Sequence, residues 1–186
     1  MIYIAYKDKW LSHKTSMGLT MVELLITVAI ISILVAMASP EIQRLLPDYR
    51  LKSAAREIMS DLQLAKLSAI RRNEICVMTF DVANSSYKVF IDLNDNYHYD
   101  TGDTLVRELN LDQFINVDFD LTQGGGDGIT FTPNNSGDPH IAFRPNGIPR
   151  SYNAGFSQGS VFLVNSNQKH YRVIVSLAGN IRIQVN

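Results

Sequence analysis

The sequence has a single cysteine, Cys76, among 186 residues. It can form no internal disulfide and no multi-cysteine metal site. Charge is scarce as well: Asp, Glu, Lys and Arg make up 19% of the chain, below the roughly 25% usual for a soluble domain. Signatures of catalysis are missing. There is no Gly-x-Ser-x-Gly elbow, no His-Glu-x-x-His pair and no phosphate loop ending in Gly-Lys-Ser/Thr. The four histidines, His13, His98, His140 and His170, are scattered and give no i, i+4 pair for a metal. Gly124-Gly125-Gly126 lacks a following Lys and reads as a flexible turn. These absences point away from an enzyme. Acid is missing from one long stretch. Residues 141–186 hold five basic residues and none acidic, whereas residues 73–140 hold two basic and twelve acidic. The net charge of -1 therefore hides an acidic middle and a basic end. At 46% hydrophobic, the chain is too apolar for disorder, and its length suits one domain with an appendage.

One long apolar run is present. Leu19 to Ser39 reads LTMVELLITVAIISILVAMAS, with Glu23 as its one charge. As a helix it spans about 31 Å, the thickness of a bilayer's hydrocarbon core. Lys7, Lys9 and Lys14 precede it and argue for a cytoplasmic N-terminus. A buried soluble helix would normally keep one polar face, and this run has almost none. A secretory signal is the other alternative. Ala36-Met37-Ala38 has the small-x-small form that a signal peptidase cuts, which would release a β-rich secreted binding protein beginning at Ser39. Glu23, placed directly before the apolar core, speaks against that alternative.

Gly18-Leu19-Thr20-Met21-Val22-Glu23, with the charged leader before it and the apolar run after it, resembles the type III signal of type IV pilins and type II secretion pseudopilins. Leu19 stands where Phe is usual and Met21 where Leu or Ile is usual; both keep bulk and apolarity. Pro40 matches a proline common in such helices. The resemblance implies that a prepilin peptidase cuts between Gly18 and Leu19 at the cytoplasmic face and methylates the new amine of Leu19. It also implies that Glu23 pairs with the N-terminal amine of a neighbouring subunit during assembly. A Glu that merely snorkels to the headgroups is the alternative.

From Glu41 to Arg72 the pattern stays helical. Ile42, Leu45, Leu46, Tyr49, Ala55, Ile58, Met59, Leu62, Ala65, Ala69 and Ile70 recur at spacings of three and four, which predicts an amphipathic stalk packed on a sheet. Pro47 should kink or briefly break it, and it should stop near Asn73. Strand-like runs follow at 75–81, 87–92, 105–109, 115–121, 128–132, 140–144, 161–164, 172–176 and 181–185. Ala178-Gly179-Asn180 is short enough to close a hairpin. Strands after one long helix predict an α+β head. The organisation expected is a leader at 1–18, a membrane helix at 19–39, a stalk at 40–72 and a periplasmic β-rich head at 73–186. Phe143-Arg144-Pro145-Asn146-Gly147, then Val175 through Arg182, with Ala54-Ala55-Arg56-Glu57 in the stalk, resembles the GspH/FimT group of minor pilins and pseudopilins. The resemblance implies a type IV pilin-like fold, a helix packed on an antiparallel sheet.

Two ligands are conceivable for the head. Asp92, Asn94, Asn96, Asp100 and Asp103 offer oxygens at the first, third, fifth, ninth and twelfth places of a calcium loop. Tyr97 stands where such a loop needs Gly, and solvated turn chemistry explains the same residues. The basic end offers Lys169, Arg172 and Arg182 for DNA. FimT-type minor pilins, which this chain resembles, carry Gly-Arg-x-Arg in the final hairpin; the matching residues here are Gly179-Asn180-Ile181-Arg182, with one Arg replaced. Cys76 reads as a core residue. The expectation is a single-pass subunit of the inner membrane with its head in the periplasm. Its partners would be prepilin peptidase, the major subunit and other minor subunits of a type II secretion pseudopilus or type IV pilus. The resemblance implies a place near the filament tip, where such subunits help start assembly. No cofactor is required beyond the candidate calcium.

Overall fold

The computed structural model describes residues 18–152 and 155–185; Lys7, Lys9, His13 and Lys14 of the leader lie outside the described residues. The chain divides into two compact units, Met1–Glu41 and Ile42–Asn186.

Helix α1 runs Met21–Arg72. Its start is capped locally: the Thr20 hydroxyl accepts the Glu23 amide at 3.2 Å, which satisfies one of the donors a helix start leaves free. Its end is marked by Asn73 in the left-handed region, φ 57, after Arg71 and Arg72 in the last turn. In the first unit every described side chain is exposed, including Leu25, Ile30, Ile33 and Val35.

In the second unit α1 buries Leu51, Ala54, Ala55, Ile58, Leu62, Ala65 and Ala69 completely. The alanines leave room for the helix backbone to approach the sheets closely. Among the described residues ten strands follow: β1 Ile75–Asp81, β2 Ser86–Asp92, β3 Thr104–Asn110, β4 Val117–Phe119, β5 His140–Phe143, β6 Pro149–Ser151, β7 Gly155–Phe156, β8 Gly159–Asn165, β9 His170–Val175 and β10 Ile181–Val185. They form two antiparallel sheets, ordered β3-β2-β1-β5-β6-β7 and β10-β9-β8-β4. One core joins the helix to both sheets through Met78, Phe80, Tyr87, Phe119, Phe143, Leu163, Val173 and Val175. Alternate residues of the first sheet face the other way. There Val77, Phe90 and Ala142 make a smaller outer core with Tyr97, Tyr99 and Tyr152. The architecture is α+β, a long helix on antiparallel sheet.

Most predicted strands are present within a residue or two. Residues 128–132 are the exception and form only one bridge, Ile129 with Val161. Gly128 sits at φ +76, outside the extended range, and a Cβ there would lie 2.9 Å from the Asp120 amide. The short hairpin β6–β7 was not expected. Pro47 does not interrupt the helix. It is buried, and a carbonyl in the turn below it, Arg44, receives the Asn167 side-chain amide at 2.8 Å. Tyr49 and Ile70, expected on the packed face, are 66% and 45% exposed, and Leu51, Ala54 and Asp61 take that face instead.

Candidate assembly site and the polar surfaces of the head

Gly18, Leu19 and Thr20 precede α1 and are exposed, and among the described residues nothing lies within 4 Å of a Cβ built on Gly18. Glu23 lies in the first helical turn, beside the positive end of the helix dipole. Thr20-x-x-Glu23 has the form of a capping box, a local signal of where the helix starts. The helix that follows is apolar and long enough to cross a membrane, and its apolar stretch buries nothing within the molecule. It passes without a break through Ala38 and Ser39.

Two polar networks fix α1 to the head. Asp61 is buried in the packed face and accepts the Tyr87 hydroxyl of β2 at 2.7 Å. The Arg107 guanidinium of β3 lies 2.9 Å from the same carboxylate oxygen and also pairs with Glu57. Burial raises the Asp61 carboxyl above its usual range, against the lowering pull of Tyr87 and Arg107. Tyr87 is itself pushed up by burial and by the Asp61 hydrogen bond. Near Pro47, Asp48 accepts from Asn165, Asn167 and Lys169 of the β8–β9 turn. These donors, Lys169 first, draw the Asp48 carboxyl down to about 2. Asp61 had a readable signal: an acid spaced three from Ile58 and four from Ala65, in the apolar stripe, needs a partner.

The loop 93–103 brings the five calcium candidates together and spends their polar atoms on closing itself. Asp92 is buried and accepts the amides of Asn94 and Tyr97. The Asn94 and Asn96 side-chain amides donate to Asp100, and Asp103 accepts the amides of Leu93 and Asp100. Tyr97 adopts φ 61. Its ring packs edge-on against His140 and Tyr152, while Tyr99 meets Phe90. The loop is thus the lid of the outer core. Among the described residues, no group of three or more His, Cys, Asp or Glu is arranged to hold a metal ion. His140, fully buried under Tyr97, is lowered to about 4 by that burial. Cys76 is buried and pushed up to about 12, which keeps it an unreactive thiol in the core.

Two of the basic residues nominated for DNA are engaged by the head itself. Lys169 is held by Asp48. Arg172 donates to the Ser160 hydroxyl at 2.8 Å and lies over the Phe162 ring. Arg182 is exposed on β10.

Comparison with known proteins places this geometry. The helix-on-sheet fold is similar to the minor pseudopilin EpsH from the type 2 secretion system of Vibrio cholerae, with a TM-score of 0.52, 14% identity, and coverage of 73% of this chain and 97% of that one. The type IV minor pilin FimU of Pseudomonas aeruginosa gives a TM-score of 0.49 and 15% identity over 75% of this chain and 90% of its own. A curated relative, the pilin-like protein PilA1 of Thermus thermophilus, is 29% identical over 175 residues, covering 91% of this chain and 99% of that protein. The fold and the exposed apolar helix thus define a pilin-like class. Within it, residues 54–179 match the family described as type II transport protein GspH, and the chain belongs to that family. It is a structural subunit of a type II secretion pseudopilus or a type IV pilus, and it assembles with other pilins in a filament.

Proposed function

We propose that this chain is a minor subunit that is cut between Gly18 and Leu19 by a prepilin peptidase and methylated on Leu19. It is held in the inner membrane by residues 19–39, with its head in the periplasm, and helps start filament assembly beside other minor subunits. The observation that carries this reading is an exposed Gly18–Leu19 bond directly before a capped helix whose apolar half buries nothing in its own molecule. That half needs a bilayer first and neighbouring helices afterwards. Mass spectrometry of the membrane-extracted protein tests it: the expected N-terminus is methylated Leu19, and a start at Ser39 overturns the reading in favour of a secreted protein.

Glu23 carries the assembly step. An acid near the end of a membrane helix is costly to insert, so it is retained for a partner. The free amine created at Leu19 of a neighbour is that partner, and the pair sets register more than it adds stability. Glu23→Val should insert at least as well, because the helix becomes more apolar. It should crosslink less to the other minor subunits at equal protein levels. Wild-type crosslinking in the variant removes Glu23 from the mechanism.

A further inference from the structure

We propose that the open edge of β10 and the adjoining face of α1 form a groove that takes an extended, acid-bearing segment of a neighbouring subunit as an added strand. The identity of the neighbour as a filament subunit rests on the family reading; the groove itself does not. Natural sheets protect their edges with short strands, charges or irregular pairing. Three of the four edges here follow that rule. β4 has three residues and β7 has two. β3 is longer, but Arg107 and Glu108 are in ion pairs and its register with β2 shifts between Val89 and Phe90. β10 carries a single charge, Arg182, with no ion pair among the described residues and no irregular pairing. It reads Ile-Arg-Ile-Gln-Val and pairs with β9 in unbroken register.

The hydrogen-bond parity of this edge is determined. The Ser176 amide donates to the Asn180 carbonyl, so bonded pairs fall at Arg182–Ile174 and Gln184–Arg172. The N–H and C=O of Ile181, Ile183 and Val185 then point away from β9, and among the described residues no strand lies beyond them. Beside the edge is a groove of about 380 Å³ lined by Gln63, Lys66, Leu67, Gly179, Asn180 and Ile181. Its helix wall presents Leu67, 55% exposed, between the polar Gln63 and Lys66. Its end is rigid. Lys66 donates to the Gly179 carbonyl at 2.9 Å, and Gly179 has φ +73 with the Gly147 carbonyl oxygen only 2.7 Å from where a Cβ would be.

The chemistry of the occupant follows from side-chain alternation. A strand laid along β10 would turn alternate side chains inward onto Leu67 and Ile181 and the others outward beside Arg182. The inward positions call for apolar residues and the outward ones for acids, since Arg182 is exposed and residues 141–186 hold no acid. The same charge argues against a second copy pairing through its own β10, which would bring Arg182 without any acid. Pairing with a main-chain edge supplies affinity, and the pocketed alternate side chains supply selectivity.

The test uses the full chain in detergent micelles and a fluorescent peptide, Val-Glu-Val-Glu-Val-Glu-Val, read by anisotropy against empty micelles. Saturable binding is expected, lost when alternate peptide amides are N-methylated. Val185→Pro removes an outward amide at a position where an edge tolerates proline, and Arg182→Glu reverses the exposed charge without touching the core. Each should weaken binding by about tenfold or more, and the Arg182 variant keeps the test free of any folding defect at Val185. No saturable binding, equal binding of the N-methylated peptide, or wild-type affinity in both variants overturns the proposal. Incorporation into filaments, scored separately by crosslinking through residues 19–39, bears on the proposed function and not on the groove.

Discussion

Replacing Tyr87 by Phe deletes one hydroxyl and leaves the ring, so it isolates a single bond between β2 and α1. That bond is 2.7 Å long and ends on Asp61, a residue only 3% exposed. A hydrogen bond to a charged group contributes about 1.5–3 kcal/mol, and a buried acceptor has no water to replace it. Arg107 stays 2.9 Å from the same oxygen, so the carboxylate is not orphaned and the loss stays below the about 3–5 kcal/mol of a broken buried pair. A deficit of about 2 kcal/mol at neutral pH is expected. Its pH dependence has a definite sign. Burial already holds the Asp61 carboxyl above its usual range, and Tyr87 is the largest influence lowering it. Removing that donor raises it further. A carboxyl whose folded pKa exceeds its unfolded value favours the native state as pH falls, because the native protein binds the extra proton. The deficit of Tyr87→Phe is therefore complete above the folded titration range of Asp61 and shrinks as pH falls through it. Urea unfolding followed by circular dichroism, between about pH 7 and about pH 4, gives both quantities from the midpoint and slope. A deficit of the same size at every pH, or none near neutrality, would refute the role assigned to Asp61.

His140 works in the opposite direction. Its folded value of about 4 lies below the ordinary 6.5, so the stability it contributes is complete above 6.5 and is lost as pH falls toward 4, about 3 kcal/mol in all. His140→Gln should remove that component from the pH profile of the melting temperature, and an unchanged profile rejects it. A chain lacking residues 1–41 should be soluble and folded, since every residue of the core lies beyond them; a molten near-ultraviolet spectrum would mean that the boundary is misplaced. Gly128→Ala should cost about 1–3 kcal/mol from its left-handed backbone and its approach to Asp120, and a wild-type melting temperature would contradict that.

Short-range signals were enough for much of this protein. The apolar run at 19–39, the Thr20–Glu23 cap, the three-and-four spacing of Ile58, Leu62, Ala65 and Ala69, and the turn at Ala178–Asn180 act within a few residues, so the chain's own order displays them. The Gly18–Glu23 pattern is local in the same way. Other features depended on residues far apart. Asp61 stands in the apolar stripe, but which groups answer it is decided only when Tyr87 and Arg107, 26 and 46 positions later, meet it under the sheet. Asp92 through Asp103 read as a solvated turn, with a calcium loop as the weaker alternative. The structure turns Tyr97 and Tyr99 inward, so that the loop covers Val77, Phe90 and Ala142. Lys169 and Arg172 count as free cations in the sequence, but Asp48 and Phe162 are brought to them by the fold. Strand order has no local signature either. A strand's alternation is the same in the middle of a sheet as at its rim, and only the assembled order β10-β9-β8-β4 leaves Ile181, Ile183 and Val185 with their backbone groups facing outward.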